Sequence, residues 1–431
     1  MEALFRIRGG TPLRGDVYIN GAKNAALVIM AAAILAEEPV LLEGVPALGD
    51  VSTLSALLAS LGLTVERLED GRLRLQTTDR QPVEASPQWV RRMRASFCVL
   101  GPLLARRGRA VVSLPGGCRI GDRPIERHLA GLAALGAEIS LRQGFVHARA
   151  TRLRGARVQL AGKAGPSVTG TANVLSAAVL ARGETTILGA AAEPEIVDLG
   201  RFLIRLGARI DGLGTGTLRI EGVAELGGTV HRVIPDRIEA ATLLLAGAIT
   251  RGTVRVEGMV PGHLDALFAV LRQSGCHLAI GGDWAAVDAP SRPLPVELCA
   301  APYPAFPTDM QPPFTALTTV AAGTSRIGDA VFPDRFLHLA PLGRFGAEID
   351  RQGSRAVVRG VPRLRGTEVR ATDLRSAAAL VLAALAAEGE SVIRGLGHLH
   401  RGYADLAGQL RRLGADLHTD GQPVDRQAPA A

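Results

Sequence analysis

The 431-residue chain is 47% hydrophobic and 21% charged, a balance that excludes an intrinsically disordered protein and predicts two or three folded domains. Its net charge of +8 is spread along the chain and aromatic residues are only 3%, so a small anionic substrate explains the charge at least as well as a nucleic acid does. The longest apolar runs are shorter than the roughly 20 residues that span a bilayer, and the four scattered cysteines do not make a disulfide framework. We therefore expect a cytoplasmic protein with free thiols.

One helix-to-strand junction recurs six times along the chain. In each copy a glycine ends an amphipathic helix and precedes a strand, and successive glycines are 74, 71, 68, 71 and 68 residues apart. Glycine is favoured directly after a helix because it adopts left-handed backbone angles without strain. The spacing indicates an internal repeat of about 70 residues. The glycines are Gly62, Gly136, Gly207, Gly275, Gly346 and Gly414.

A second helix, apolar on nearly every face, is predicted once in each repeat. Helices of this kind are buried, so we expect them inside, with the strands outside. Six repeats exceed what one core usually holds, which predicts an α/β fold of two inside-out domains with three repeats each. A solenoid is the competing arrangement, and it fits helices this apolar less well. The predicted buried helices span residues 24–36, 92–105, 173–182, 238–250, 313–322 and 374–387.

The buried helices begin with polar residues that an apolar helix does not require. Ordinary capping explains Asp236 and Thr171. It does not explain Lys23, Arg94 or Arg375, because a cation at a helix N-terminus opposes the helix dipole. We therefore expect these three side chains to meet an anionic partner. Lys23 is notable for a second reason, since the chain has 47 arginines and two lysines, which indicates a need for a compact ammonium group.

The loop at residues 115–124, Pro-Gly-Gly-Cys-Arg-Ile-Gly-Asp-Arg-Pro, carries a cysteine between two arginines. Its glycines and prolines predict a long turn, and neighbouring cations lower the pKa of an exposed thiol. Cys118 is therefore the candidate reactive thiol. No histidines or cysteines have metal-ligand spacing, and the glycine-rich segment 212–216 precedes a strand rather than the helix of a dinucleotide site. We expect no metal and no cofactor.

Six segments, taken in order, resemble the UDP-N-acetylglucosamine 1-carboxyvinyltransferases of the enolpyruvyl transferase family. The resemblance extends from about residue 5 to residue 417. The fold it implies is a pair of inside-out α/β domains of three repeats each, in agreement with the repeat count. The segments are Asn-Gly-Ala-Lys-Asn-Ala at 20–25, Met-Arg-Ala-Ser at 93–96, the loop 115–124, Phe-Pro-Thr-Asp-Met-Gln at 306–311, Thr-Asp-Leu-Arg at 372–375 and Arg-Gly-Tyr at 401–403.

The resemblance implies a split first domain, residues 1–22 and 235–431, and a second domain, residues 23–234, with the active site in the cleft between them. It implies transfer of the enolpyruvyl group of phosphoenolpyruvate to the 3′-hydroxyl of UDP-N-acetylglucosamine, with release of phosphate, in peptidoglycan precursor synthesis. The hydroxyl would attack C2 while C3 is protonated, and loss of phosphate would restore the enol ether. The two substrates are the implied partners, and the reaction requires no metal or organic cofactor.

The resemblance also implies roles for individual residues. Cys118 would be the acid toward C3, forming a covalent phosphoenolpyruvate adduct and reacting with fosfomycin, and Asp309 would be the base near the acceptor hydroxyl, with Lys23 and Arg401 also catalytic. Phosphoenolpyruvate would contact Lys23, Arg94, Arg123, Arg335, Arg375 and Arg401. The nucleotide sugar would contact Asn24, Arg94, Arg123, Pro124, Ile125, Glu126, His128, Ser167, Val168, Asp309 and Val331, with Asp373 in support.

Several positions depart from the family pattern, mostly on the acceptor side. Glu126 and Arg127 replace an aspartate and an uncharged residue in a stretch that contacts the uracil. Further departures are the insertion at 162–165, Thr169, the stretch 329–334, His400 and Ala305.

These departures leave a second hypothesis, a specialised-metabolism enolpyruvyl transferase acting on another uridine nucleotide such as UMP. Shikimate 3-phosphate fits less well as acceptor, because the Cys118 loop resembles the UDP-sugar branch. A non-catalytic protein that binds nucleic acid or regulates would not need Cys118, Asp309 and Lys23 together.

Overall fold

The computed structural model describes residues 3–116, 121 and 124–421. The chain forms two compact units. The first contains residues up to Asn20 together with those from Pro235 onward, and the second contains most residues from Gly21 to Ile234. The chain therefore passes from one unit to the other after Asn20 and returns after Ile234, whereas the resemblance implies a first crossing slightly later, after residue 22.

Among its described residues, the second unit contains three four-stranded sheets. The first sheet contains Val40–Glu43, Leu63–Arg67, Leu73–Thr77 and Thr229–Arg232. The second sheet contains Glu84–Ala85, Arg109–Ser113, Glu138–Arg142 and Phe145–Arg149. The third sheet contains Arg157–Gln159, Glu184–Leu188, Arg209–Asp211 and Thr217–Glu221. A short hairpin, Ala161–Gly162 paired with Gly165–Pro166, lies just before the third buried helix of this unit.

The first unit also contains three four-stranded sheets. One contains Arg14–Tyr18, Thr253–Glu257, His277–Ile280 and Trp284–Asp288; another contains Glu297–Ala300, Thr324–Asp329, Glu348–Gln352 and Arg355–Arg359; the last contains Leu4–Arg8, Glu368–Arg370, Glu390–Arg394 and Asp416–Asp420. In the last sheet Leu4–Arg8 pairs with Glu390–Arg394 on one side and with Asp416–Asp420 on the other. A two-stranded pair joins Leu364–Arg365 and Ala387–Glu388.

All six four-stranded sheets have the same pairing. In each, one edge strand pairs in parallel with its neighbour, and the remaining two strand pairs are antiparallel. Six copies of one topology confirm the repeat that the junction glycines predict.

Within the part of the chain that the structure describes, each unit encloses three buried helices. In the first unit these are Arg237–Ile249, Gln311–Thr318 and Leu374–Ala386; in the second they are Lys23–Ala32, Leu100–Arg107 and Val168–Ala178. All thirteen residues of Arg237–Ile249 are buried. The predicted inside-out α/β arrangement is confirmed. No helix among the described residues has the length and hydropathy needed to cross a membrane.

A second, partly exposed helix accompanies the buried helix in each repeat, and shorter helices lie between the other elements. The amphipathic helices are Gly49–Ser60, Glu126–Ala134, Pro194–Arg205, Asp265–Gln273, Leu339–Gly343 and Leu406–Arg412, and a short α-helix spans Pro87–Val90. The 3₁₀ helices are Ala33–Leu35, Arg94–Val99, Pro261–His263, Thr308–Met310 and Leu396–Arg401.

All six junction glycines have the predicted left-handed backbone, with φ between 83° and 110°. Other residues strain in this region, so the expectation of a glycine after each amphipathic helix is confirmed. Several predicted helix boundaries were wrong, two of them for reasons visible in the local sequence. The helix expected at 173–182 begins at Val168, where Ser167 caps it by accepting from the Gly170 N–H, so Thr171 is not the cap. The helix expected at 92–105 is divided, and its α-helical part starts at Leu100 because Pro102 fits only in a first turn.

Candidate active site

In the first unit, the Asp309 carboxylate is held between two guanidinium groups. Arg335 Nη1 lies 2.8 Å from Oδ1, and Arg375 Nη2 lies 2.8 Å from Oδ2. The two arginine side chains are 6% and 4% exposed, whereas that of Asp309 is 26% exposed. Two cations at this distance favour the ionised carboxylate, and the pairing of one arginine to each oxygen fixes its orientation while leaving it accessible.

Arg375 reaches Asp309 from the start of the helix Leu374–Ala386. Asp373 caps this helix, accepting from the backbone N–H groups of Arg375 and Ser376, each at 3.0 Å. Burial opposes the charge of Arg375, yet the attraction of Asp309 and of the groups around it raises its pKa above the ordinary value. Its other terminal nitrogen donates to the hydroxyl of buried Tyr403 at 3.2 Å. The capping carboxylate of Asp373 therefore supports the position of Arg375.

A second carboxylate, that of buried Asp329, is linked to Arg335 through Thr308. Arg335 Nη1 also donates to Thr308 Oγ1 at 3.0 Å, and this hydroxyl is 2.5 Å from Asp329 Oδ2. Asp329 Oδ1 accepts from the backbone N–H groups of Val331 and Phe332 at 2.9 and 2.7 Å. Burial raises the pKa of Asp329, against the opposing effect of these hydrogen bonds.

In the second unit, Lys23 opens the helix Lys23–Ala32 and contacts Asp50. The ammonium nitrogen lies 3.4 Å from Asp50 Oδ2, and the two side chains are 11% and 5% exposed. Asp50 lies in the first turn of Gly49–Ser60, where a carboxylate favours the helix dipole. Lys23 and Arg375 thus both meet an anion inside the protein, which is one form of the partner that the sequence predicts.

His128 is buried in the second unit, 2% exposed, with both ring nitrogens near other side chains. Nδ1 is 2.7 Å from Asn173 Nδ2, and Nε2 is 3.2 Å from Thr169 Oγ1. The Asn173 amide is oriented by its bonds to the Gly101 N–H and the Phe97 carbonyl, so Nδ1 accepts and the neutral ring carries its proton on Nε2. Burial first, and Arg94 second, lower the pKa of His128 to about 3.

Arg127 lies against the hairpin that precedes the helix Val168–Ala178. A Cβ placed on Gly162 would be 2.8 Å from Arg127 Nη2 and 3.2 Å from its Cζ. The absence of a side chain at Gly162 therefore lets the guanidinium group rest on the hairpin backbone. Both Arg127 and the inserted hairpin are departures from the family pattern, and the structure brings them together.

The remaining predicted residues lie on the surfaces or edges of the two units. Asn24, Pro124 and Glu126 are exposed, and those partly buried are Arg94, Ile125, Ser167, Val168, Val331, Asp373 and Arg401. Arg401 ends the 3₁₀ helix Leu396–Arg401. Cys118 and Arg123 lie outside the described residues.

Sequence reasoning missed the side chains that hold the predicted ones in place. Asp50 and Asn173 are buried polar residues that contact the predicted site residues Lys23 and His128, 27 and 45 positions away. Asp329 is also buried and contacts Thr308, 21 positions away. Asp50 offered one local signal, an acidic residue in a helix first turn. Within the described ranges, no cluster of three or more histidine, cysteine or acidic residues could hold a metal ion.

The family profile described as EPSP synthase (3-phosphoshikimate 1-carboxyvinyltransferase) matches residues 7–410. A UDP-N-acetylglucosamine 1-carboxyvinyltransferase from Koribacter versatilis (strain Ellin345) is 47% identical over 428 residues, covering 98% of each chain. The chain belongs to the EPSP synthase family of enolpyruvyl transferases. Membership of the EPSP synthase family accounts for the order of the six segments.

Solved structures of the EPSP synthase family have the same fold. The enolpyruvyl transferase NikO from Streptomyces tendae superposes with a TM-score of 0.87 at 28% identity, covering 98% of this chain and all of that one. An EPSP synthase from Acinetobacter baumannii superposes with a TM-score of 0.73 at 17% identity, covering 98% of this chain and all of that one. At the latter identity the likeness shows the fold alone.

Proposed function

We propose that this chain transfers the enolpyruvyl group of phosphoenolpyruvate to the 3′-hydroxyl of UDP-N-acetylglucosamine and releases phosphate. The observation that carries the proposal is the 47% identity with the Koribacter versatilis enzyme, which extends over 98% of both chains. The lower identity with NikO, 28%, favours this acceptor over the alternative, another uridine nucleotide such as UMP. The place of the reaction in peptidoglycan precursor synthesis, and a cytoplasmic location, remain predictions.

Asp309 is proposed as the base toward the acceptor hydroxyl. Its contacts with Arg335 and Arg375, both at 2.8 Å, keep it ionised and oriented while leaving it partly exposed. The exposed part of the carboxylate is suited to accept a hydrogen bond from the acceptor hydroxyl and to take its proton as the bond to C2 forms.

Cations are proposed to bind phosphoenolpyruvate, which carries a phosphate and a carboxylate. Lys23, Arg123 and Arg401 are the candidates that bind it directly, because charge-assisted hydrogen bonds suit both anionic groups. Arg335 and Arg375 are committed to Asp309, so their contribution to phosphoenolpyruvate binding is to add positive potential to the site.

The proposed reaction is an addition followed by an elimination. The acceptor oxygen attacks C2 as Cys118 gives its proton to C3, and Asp309 takes the hydroxyl proton. The tetrahedral intermediate then loses a proton from C3 and phosphate from C2, which regenerates the double bond as an enol ether. Every step uses protein side chains and the two substrates, with no cofactor.

On the acceptor side, Asp309 and Val331 are proposed contacts in the first unit, and the other proposed contacts lie in the second unit. Ser167 and Val168 begin the helix Val168–Ala178, whose N-terminal amides suit a diphosphate. His128 is buried and its ring nitrogens contact Asn173 and Thr169, so we propose that it shapes this surface from below. Asn24, Pro124, Ile125 and Glu126 complete the proposed contacts.

Phosphate release tests the proposal. Purified protein is incubated with phosphoenolpyruvate and, in separate reactions, UDP-N-acetylglucosamine, UMP or shikimate 3-phosphate. Release with UDP-N-acetylglucosamine is expected, with a product heavier by the enolpyruvyl group. Release with UMP alone would replace the acceptor by the alternative one, and the absence of release with every acceptor would refute enolpyruvyl transfer.

A further inference from the structure

Asp329 is a buried carboxylate, 1% exposed, at the end of the strand Thr324–Asp329. Its two oxygens have different partners. Oδ2 faces the Thr308 hydroxyl at 2.5 Å, and Oδ1 receives the N–H groups of Val331 and Phe332. A buried carboxylate costs free energy unless its oxygens are hydrogen-bonded, and Asp329 has a partner for each of them.

The direction of the hydrogen bonds from Asp329 toward Asp309 follows from donor and acceptor counts. Arg335 has only donors, so Thr308 Oγ1 must accept from Nη1 at 3.0 Å. The single hydroxyl proton of Thr308 is then free to go to Asp329 Oδ2, which accepts. Arg335 Nη1 also forms an ion pair with Asp309, with 2.8 Å between the nitrogen and Oδ1. Arg335 Nη1 therefore contacts Asp309 directly and Asp329 through the Thr308 hydroxyl.

Resting on the proposed function, we propose that Asp329 and Thr308 are positioning residues that fix the Asp309 carboxylate through Arg335. Arg375 holds Oδ2 independently, from a different helix. With one guanidinium group alone, the carboxylate can rotate about its bond to Cβ. With both, the plane of the carboxylate is set, and the lone pairs directed at the acceptor hydroxyl are set with it.

The other oxygen of Asp329 also holds a proposed nucleotide-sugar contact, Val331, in place. Oδ1 binds the N–H of Val331 at 2.9 Å, and Val331 is a proposed nucleotide-sugar contact. Arg335 follows four residues later in the same segment, 5% exposed. One buried carboxylate therefore connects a proposed acceptor contact with the base that acts on the acceptor.

Replacement of the Thr308 hydroxyl is the direct test. Thr308→Val keeps the shape and removes both hydrogen bonds, whereas Thr308→Ser keeps the hydroxyl. We expect kcat to fall roughly 10- to 100-fold in Thr308→Val, the loss that one hydrogen bond to a charged group supports, with KM for phosphoenolpyruvate little changed. Thr308→Ser should retain most of the wild-type kcat.

Asp329→Asn tests the hydrogen bond between Thr308 and residue 329 by replacing its acceptor oxygen with a donor nitrogen. If the side-chain oxygen of the new asparagine accepts from the Val331 and Phe332 N–H groups, its amide nitrogen faces Thr308. An amide nitrogen cannot accept a hydrogen bond from the Thr308 hydroxyl. We expect a fall in kcat similar to that of Thr308→Val. The matched control is Thr318→Val, which removes a buried hydroxyl that donates to the Thr315 carbonyl and should leave kcat unchanged.

Crystal structures of Thr308→Val and the wild type decide the point without relying on turnover. We expect Arg335 Nη1 to leave Asp309 Oδ1 in the variant while Arg375 keeps its contact with Oδ2. An unmoved Arg335, or a Thr308→Ser enzyme as slow as Thr308→Val, would overturn the positioning role. If the wild type released no phosphate with any acceptor, the proposed function would fail, and the crystallographic comparison would still decide whether Thr308 fixes Arg335.

Discussion

The Glu239 carboxylate receives both the backbone N–H and the side-chain amide of Asn20, at 3.0 and 2.9 Å. Asn20 is the last residue of the first unit before the chain enters the second, and Glu239 lies in the first turn of a fully buried helix. Burial and the nearby charge of Asp236 raise the pKa of Glu239 to about 7, although the bonds from Asn20 oppose the shift.

This shift predicts how stability depends on pH. A carboxyl group whose folded pKa exceeds its unfolded value binds more protons when folded, so its contribution is present below the unfolded pKa of 4.5 and is lost as pH rises through about 7. Between pH 4.5 and 8, the unfolding free energy of the wild type should fall by about 3 kcal/mol relative to Glu239→Gln. Urea unfolding of both proteins at several pH values measures the difference, and parallel curves would contradict it.

Asp309→Asn should abolish turnover while both substrates still bind. The substitution leaves two buried guanidinium groups with a neutral partner, so we expect stability to fall by about 2 to 3 kcal/mol, somewhat below the usual cost because Asp309 is partly exposed. Phosphoenolpyruvate should raise the Tm of the variant more than that of the wild type, since it supplies an anion. Phosphate release, calorimetric titration and thermal unfolding provide the measurements.

An exposed aspartate provides the control for this substitution. Asp334 pairs with Arg351 at 2.7 Å, and its side chain is 75% exposed, so Asp334→Asn should change stability little. Near-normal turnover in Asp309→Asn would remove Asp309 from the role of base.

Fosfomycin should add one covalent adduct to the wild type, at Cys118. Burial raises the pKa of Cys98 to about 12 and that of Cys276 to about 11, so neither thiol is reactive at neutral pH. Cys299 is exposed and serves as the control. Intact mass spectrometry should show the adduct in Cys299→Ala and lose it in Cys118→Ala; an adduct on Cys118→Ala would place the reactive thiol elsewhere.

Gly162→Ala should affect the nucleotide acceptor and spare phosphoenolpyruvate. The added methyl group would lie 2.8 Å from Arg127 Nη2, so the guanidinium group must leave the hairpin. We expect KM for the acceptor to change several-fold, with KM for phosphoenolpyruvate unchanged. Gly282→Ala, where a Cβ meets nothing within 4 Å, is the matched control. An unchanged acceptor KM in Gly162→Ala would show that the position of Arg127 does not affect acceptor binding.

The sequence predicted the repeated architecture because its signals are local. Gly62 and the five equivalent glycines, like the apolar helices, need only neighbouring residues to be recognised. Boundaries failed where a local rule was overlooked, as at Pro102, which fits a first turn, and at Ser167, whose side chain caps a helix that was expected to begin later.

The arrangement around Asp309 could be predicted only in part. The cations at Lys23 and Arg375 indicated an anionic partner, and the structure supplies Asp50 and Asp309. The partners are 27 and 66 residues away, on other helices, so nothing in the local pattern identifies them. The same holds for Asp329, whose contact with Thr308 depends on how a strand end meets a 3₁₀ helix.

The strand Leu4–Arg8 is held between Glu390–Arg394 and Asp416–Asp420, which has a consequence for biosynthesis. A ribosome releases residues 21–234 as one continuous stretch, so the second unit can fold while translation proceeds. The opening segment, by contrast, has no partner strands until nearly the whole polypeptide has emerged. Its apolar residues cannot be buried in this sheet until then, so we expect the nascent chain to be most prone to aggregate before the last strands have emerged.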